Sequence, residues 1–292
     1  MLGLQWPQRD ALRMNRYVRP HSLDEALNAL ASGGLSVLAG GTDFYPARVG
    51  REVEEDVLDI TAIDELRGIS EDEQGFRIGA LTTWSELVAA KLPAYCNCLK
   101  LAAREVGGAQ IQNSGTVGGN LCNASPAADG VPPLLSLGAA VELACADGRR
   151  VVPLGEFITG NRRTRREPGE LLASIRVPRW GASARSHFLK LGARKYLVIS
   201  IAMVSAVLET DAFGAISRCA VAVGSCSGVA QRLHGLERDL VGAVRDARLP
   251  ELVRAEHLAS LAPISDVRGT ADYRKDAALV LVRRALEALA GE

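Results

Sequence analysis

The segment Gly115-Thr116-Val117-Gly118-Gly119-Asn120-Leu121-Cys122-Asn123-Ala124-Ser125-Pro126-Ala127-Ala128-Asp129 constrains this chain more than any other. It gathers three glycines, two asparagines, a threonine and a serine before an apolar run restarts at Val131 and continues to Leu137. A plain connection needs no such chemistry. Glycine allows positive φ and close backbone approach, and the short polar side chains supply donors, so the segment reads as a tight turn that cradles an anionic group. A second glycine turn, Gly40-Gly41-Thr42-Asp43, follows a short apolar run from Leu35 to Ala39. Together the two turns could wrap a diphosphate with backbone N–H groups. Neither holds the Gly-Lys-Ser/Thr of a phosphate loop or the Gly-x-Gly-x-x-Gly of a dinucleotide fold, and either one alone could be a simple connection.

Composition narrows the alternatives. A chain of 292 residues with 48% hydrophobic content can bury the cores of two or three domains. Lys and Arg number 34, as do Asp and Glu, and a net charge of zero argues against a nucleic-acid surface or an electrostatically held membrane surface. Arg9, Asp10 and Arg13 precede any sizeable apolar run, unlike the order of a secretory signal. The longest apolar run, Tyr196 to Leu208, is too short to cross a bilayer as a helix, and a cytoplasmic location is the expectation. Six cysteines, at 96, 98, 122, 145, 219 and 226, form no Cys-x-x-Cys pair and fit reduced thiols better than disulfides or zinc. His21, His187, His234 and His257 adjoin no nucleophile elbow or zinc-binding helix motif, so hydrolytic chemistry is disfavoured. The basic run Arg162-Arg163-Thr164-Arg165-Arg166 reads as a solvated loop, with a phosphate or acidic partner as the alternative.

Periodicity supplies the elements. Ser22-Leu23-Asp24-Glu25 opens a helix from about His21 to Ala31, and Thr83-Trp84-Ser85-Glu86 opens another that has ended by Pro93. A longer helix is expected from about Tyr95 to Val106, stopped by Gly107-Gly108. Strands are expected at Leu35 to Ala39, Val57 to Ile60, Phe76 to Leu81 and Leu171 to Val177, with a hairpin of Ala140 to Cys145 and Arg149 to Leu154 about Asp147-Gly148. Trp180 to Ser186, small and polar, reads as a boundary. Beyond it come strands at His187 to Leu191, Leu197 to Leu208 and Ile216 to Val223, then helical patterns ending at about Tyr273 to Leu289. Hairpins without a steady βαβ rhythm indicate an α+β fold.

With both turns in place, the chain resembles the FAD-binding medium subunit of the molybdenum hydroxylases, the family of xanthine dehydrogenase and aerobic carbon monoxide dehydrogenase. The resemblance rests on Ala39-Gly40-Gly41-Thr42-Asp43, Thr116-Val117-Gly118-Gly119-Asn120-Leu121, Ala124-Ser125-Pro126 with Asp129, Gly169 to Pro178, Lys190 to Arg194, and Pro263 to Arg274. It runs from about Arg16 to Leu286, nearly the whole chain. It implies a two-part FAD-binding domain of the vanillyl-alcohol-oxidase or p-cresol-methylhydroxylase type over residues 1–180, divided near residue 60, and an α+β C-terminal domain over 181–292 of the carbon monoxide dehydrogenase flavoprotein type.

It further implies that FAD lies between the two turns. Leu38, Ala39, Gly40, Gly41, Thr42, Asp43 and Phe44 would line one side, and Gly107, Thr116, Gly118, Gly119, Asn120, Cys122, Asn123 and Asp129 the other. Leu171 and Leu172 would flank the flavin, and Lys190 matches a cofactor-contacting lysine. After Arg194, where xanthine dehydrogenase has acidic residues, this chain reads Lys195-Tyr196-Leu197-Val198, and the electron acceptor stays open among NAD, oxygen and a quinone. Asn123 leads directly into Ala124, without the cysteine-bearing insertion of the hydroxybenzoyl-CoA branch, so no iron–sulfur cluster or other metal is expected in this chain. The implied role is an electron relay: a large molybdenum-cofactor subunit oxidises substrate, a small subunit with two 2Fe–2S clusters passes the electrons on, and FAD here delivers them to an external acceptor. No catalytic acid or nucleophile is nominated. A non-catalytic nucleotide-binding or assembly module of the same fold, and a free-standing flavin oxidoreductase, are the alternatives.

Overall fold

Regular structure begins where the sequence caps it. The computed structural model describes residues 15–195 and 197–291; Arg9, Asp10 and Arg13, and Tyr196 at the head of the long apolar run, lie outside the described residues. The first part of the chain runs β1 (Tyr17–Val18), α1 (Leu23–Ala31), β2 (Leu35–Leu38), β3 (Asp56–Asp59), β4 (Ile69–Asp72), β5 (Gly75–Gly79), α2 (Trp84–Ala89), α3 (Asn97–Glu105), α4 (Ala109–Ser114), α5 (Val117–Asn123) and α6 (Val131–Ser136). It continues with β6 (Ala140–Cys145), β7 (Gly148–Pro153), α7 (Leu154–Phe157), β8 (Ile158–Gly160), β9 (Arg163–Thr164) and β10 (Leu171–Pro178). The remainder is β11 (Arg185–Leu191), β12 (Ala202–Thr210), β13 (Ile216–Gly224), β14 (Gln231–Arg232), α8 (His234–Leu240) and α9 (Ala271–Ala290).

Ser22 Oγ accepts the Glu25 N–H at 3.2 Å and starts α1, while Thr83 and Glu86 form the full reciprocal capping box of α2. Leu23, Ala26, Leu27 and Leu30 then bury the inner face of α1 against Leu58 and Ile60. The small N-terminal sheet, ordered β1-β3-β2, is parallel. The second sheet, β4-β5-β10-β6-β7, is antiparallel throughout, with the near-continuously buried β10 at its centre. The mixture is the α+β arrangement expected from the hairpins.

The third sheet, β11-β12-β13-β14, is apolar on both faces. Side chains alternate across a strand, so Met203 and Val207 of β12 enter the core built on α3 and α6, while Ala202, Val204, Ala206 and Leu208 enter the one covered by α9. Ser136 of α6 and Ser205 of β12 share a buried hydrogen bond at 2.7 Å through the first of these faces.

Four local expectations change. The segment from Gly115 is not only a tight turn, because Val117–Asn123 is helical, started by Thr116 Oγ1 accepting the Gly119 N–H at 3.0 Å and ended by Ala124 at φ 47°. Helix α4 has no counterpart in the sequence reading. The strand expected from Leu197 begins at Ala202, since Leu197 is left-handed (φ 53°) and Ser200 is held by Asp129. Trp180, placed in a polar boundary, is buried, donates its indole N–H to Leu137 O at 3.1 Å, and carries the Arg218 guanidinium 3.7 Å over its ring.

Within the second sheet Glu142 is buried and receives Arg149 at 2.8 Å and Arg176 Nε at 2.9 Å. Burial pushes its carboxyl pKa up, but the two guanidinium hydrogen bonds outweigh burial and leave it below the ordinary 4.5. A depressed folded-state pKa contributes stability above the unfolded pKa, which is lost as pH falls through the folded value. Urea unfolding should therefore show Glu142→Gln about 2 kcal/mol less stable than wild type at pH 7, with the gap narrowing below pH ~4.5.

Candidate functional site

A cavity of about 690 Å³ opens where the three sheets and helices α3 to α5 converge. Its size suits a cofactor rather than an ion. One wall is the turn after β2, from Ala39 to Phe44. Tyr45 and Ala47 return their N–H groups to the carbonyls of Gly41 (3.2 Å) and Asp43 (3.1 Å), but the five N–H groups from Gly40 to Phe44 find no acceptor among the described residues. A run of backbone donors aimed away from protein acceptors is an anion-binding surface. The turn is stiffened by Arg48, whose guanidinium lies 3.7 Å over the Phe44 ring and donates to Phe44 O at 2.6 Å.

The opposite wall is the start of α5. Its first donors are consumed by protein: Val117 N–H by Thr82 O (2.9 Å), Gly118 N–H by Ala80 O (2.9 Å) and Gly119 N–H by the Thr116 hydroxyl. A Cβ on Gly118 would stand 2.7 Å from Ala80 O, and one on Gly40 would overlap the Ser114 carbonyl oxygen. These glycines permit the two walls to pack on the chain and on each other, a role beside the ligand approach expected from the sequence. Asn120 Oδ1, by contrast, is buried at the wall without a donor.

The wall contains Ala39, Gly40, Gly41, Thr42, Asp43, Phe44, Gly107, Thr116, Gly118, Gly119, Asn120, Cys122, Asn123, Asp129, Leu171 and Leu172, all expected from the sequence. Leu38 and Lys190 stand behind it. Leu38 is buried, with its carbonyl accepting the Ile60 N–H at 3.0 Å. Lys190, on β11, reaches Asp129 Oδ2 at 2.7 Å and Glu105 O at 3.1 Å, and Ser200 gives its hydroxyl to Asp129 Oδ1 at 2.6 Å. Burial pushes the Asp129 carboxyl pKa up, against the pull of the Lys190 ammonium and the two hydrogen bonds. Burial likewise raises the Cys122 thiol, partly offset by Arg166, so Cys122 is a neutral wall residue rather than a nucleophile.

Sequence reading missed several wall residues. Arg162 and Arg166, read as solvated, line the cavity, while Arg165 between them pairs outward with Glu156 at 3.1 Å. Arg162 and Arg166 both flank the two-residue strand β9 and stay exposed, so their solvation and their place on the cavity rim go together. Arg162, left-handed at φ 58°, donates to Asn123 Oδ1, and Arg166 to Glu170 O at 3.1 Å. Trp84, Ile111 and Leu197 to Ile199 also line the cavity, brought there by tertiary packing that no local pattern announces.

The donor set fits FAD. Five free N–H groups and two arginines suit a diphosphate, the orphaned Asn120 oxygen suits a donor such as an amino, imide or ribityl hydroxyl group, and Leu171 and Leu172 offer an apolar face. Comparison with known proteins agrees. Residues 12–180 match the family described as the FAD binding domain in molybdopterin dehydrogenase, and residues 187–289 match the CO dehydrogenase flavoprotein C-terminal domain. The chain therefore belongs to the FAD-binding subunits of the molybdopterin dehydrogenase family.

Among its relatives, the carbon monoxide dehydrogenase medium chain of Afipia carboxidovorans is 35% identical over 93% of this chain and 95% of its own length. The xanthine dehydrogenase FAD-binding subunit of Escherichia coli O157:H7 is 31% identical over 88% and 90%. A chain of the reconstituted CO dehydrogenase from Oligotropha carboxidovorans superposes with a TM-score of 0.88 at 30% identity, covering 95% of this chain and 98% of that one. This chain is thus an oxidoreductase subunit with FAD as its cofactor and electron transfer as its role.

Replacing Gly40 with Ala should force the two walls apart without touching the core. We expect FAD affinity to fall at least about tenfold, read by flavin retained after gel filtration, with little change in the far-ultraviolet circular dichroism.

Proposed function

We propose that the cavity holds FAD with its diphosphate along the N–H groups of Gly40 to Phe44, and that the chain serves as the electron exit of a three-subunit molybdenum hydroxylase. The free donor run carries this reading, because Gly40 to Phe44 form a preorganised anion surface facing the cavity. Arg162 and Arg166 add positive charge from the β9 side, and their hydrogen bonds to Asn123 and Glu170 hold them in place. Thr116, Gly118 and Gly119 shape the far wall through the docked start of α5, and Asn120 offers its free oxygen to the cofactor. Leu171, Leu172 and Cys122 give that wall neutral, water-excluding surface. Asp129 and Lys190 act as a buried pair that fixes the wall to β11.

When bound, FAD supplies two-electron and one-electron redox chemistry that no side chain here can perform. The protein's part is to bind, orient and shield it. Electrons would arrive from 2Fe–2S clusters in a small partner subunit, after substrate oxidation at a molybdenum cofactor in a large one, and leave to an outside acceptor. In this reading residues 1–180 form the two-part FAD-binding domain, divided near residue 60, and 181–292 the C-terminal domain. The complex is proposed to work in the cytoplasm; no helix among the described residues is long and apolar enough to cross a membrane.

The test is direct. Purified chain should be yellow and release about one FAD per chain on denaturation, while Gly119→Leu, which crowds the Thr116 cap (a Cβ there lies 2.7 Å from Thr116 Oγ1), should be colourless. Colourless wild-type protein that refuses FAD on reconstitution would refute the reading.

A further inference from the structure

Away from the cofactor site, a second cavity of about 460 Å³ opens beside α8, and it shares no lining residue with the first. Its volume falls in the range of small-molecule sites. Arg232, Arg238 and Arg254 line it, as do His234, His257 and Ser260. Two carboxylates of α8 hold four of these side chains. Glu237, buried, accepts Arg232 Nε (2.5 Å) and Nη2 (2.8 Å) together with His234 Nδ1 (2.9 Å). Asp239 accepts Arg254 Nη2 (2.7 Å) and His257 Nε2 (3.0 Å). The His257 tautomer is fixed, because its Nδ1 accepts the Arg254 N–H at 3.1 Å. Neither carboxylate lines the cavity, so each orients an arginine and a histidine from outside its wall.

What the wall keeps unspent is donor capacity. Among the described residues, Arg232 and Arg254 each keep Nη1, and Arg238 makes no hydrogen bond or ion pair. Arg254 Nε lies 4.0 Å from Glu256, the one acidic residue on the wall, whose carboxylate is largely exposed. Gly235 forms the floor. A Cβ there would stand 3.7 Å from His257 Cδ2 and 4.0 Å from Arg238 Nη2, so the Arg238 guanidinium folds back over the first turn of α8. Charge and shape then select the ligand. A carboxylate is satisfied by one guanidinium fork, whereas a phosphate ester offers three acceptor oxygens and about two negative charges, enough to engage three guanidiniums. No Phe, Tyr or Trp lines the cavity, so the stacking that a nucleic-acid strand requires is missing.

We infer that the cavity formed by Arg232, Arg238, Arg254 and the backbone of Gly235 is a binding site for a small phosphomonoester. The phosphate lies against the three guanidiniums with the Ser260 hydroxyl as a further donor, and the organic part fills the remaining volume. The site is separate from the cofactor cavity and does not depend on the FAD reading above.

The experiment is a calorimetric titration of the full-length chain, in saturating FAD, with ribose 5-phosphate, inorganic phosphate and ribose. Wild type is compared with Arg238→Gln, Gly235→Leu and the control Lys275→Gln, which removes the same charge from an exposed residue outside the cavity. Arg238 is exposed and holds nothing in place among the described residues, so Arg238→Gln keeps the fold and is decisive even if Gly235→Leu melts early. Saturable binding of ribose 5-phosphate is expected in wild type and control, with Kd raised at least about tenfold in Arg238→Gln and in folded Gly235→Leu. Inorganic phosphate should bind more weakly than the ester, and ribose not at all. Absence of saturable binding by both phosphates, an unchanged Kd in either folded variant, or an equal loss in Lys275→Gln would each overturn the inference. Phosphate caught instead by the free N–H groups after β2 gives the second of these outcomes, since neither substitution touches that turn. An ester no tighter than inorganic phosphate would mark a bare anion site and overturn the ester assignment.

Discussion

Everything at the site depends on how closely two pieces of backbone approach one another. The turn after β2 and the end of α4 touch at Gly40 and Ser114, leaving no room for a Cβ, and the start of α5 hands its first two N–H groups to Thr82 and Ala80. A helix N-terminus ordinarily leaves such donors for water or a ligand. Here they are used for assembly, and anion binding is left to the opposite turn. The cradle is asymmetric: one wall spends its first backbone donors on assembly and keeps only the Asn120 oxygen unpaired, while the other supplies the unpaired donors.

That asymmetry explains which parts of the molecule were legible in the sequence. Elements with local signals were read closely: the caps at Ser22 and Thr83, the Asp147-Gly148 hairpin, the antiparallel pairing of β12 with β13 though not the start of β12, and the last helix. The membership of the cavity was legible too, because glycines and short polar residues cluster there. Helix α5 was not. Gly118 and Gly119 each cost a helix about 1 kcal/mol relative to alanine, and it is docking on Ala80 and Thr82, a contact between distant parts of the chain, that makes the segment helical. Arg162 and Arg166 were hidden for a similar reason. A run of five charged and polar residues reads as solvated, and Arg162 and Arg166 are indeed exposed; that they also border the cavity follows from where the chain around the two-residue strand packs.

The region from Leu191 to Ile201 shows the limit from the other side. The apolar residues from Leu197 suggested the start of a long strand, but Ser200 finds a partner in Asp129, and the strand begins only at Ala202. The same carboxylate holds Lys190 of β11. Asp129 therefore joins three things that are far apart in sequence: the second glycine segment, the edge strand of the third sheet and the loop at the cavity mouth.

The two-faced third sheet has a consequence for how such a chain can evolve. Because Met203 and Val207 complete the core begun by α3 and α6, and Ser136 and Ser205 pin the junction from within, the C-terminal third is not an appendage. It is the outer wall of the room whose inner wall binds the cofactor. A lineage that exchanged this part for an unrelated module would expose the backs of α3 and α6 to water. A change on either side of that junction must therefore be matched on the other if the shared core is to stay filled.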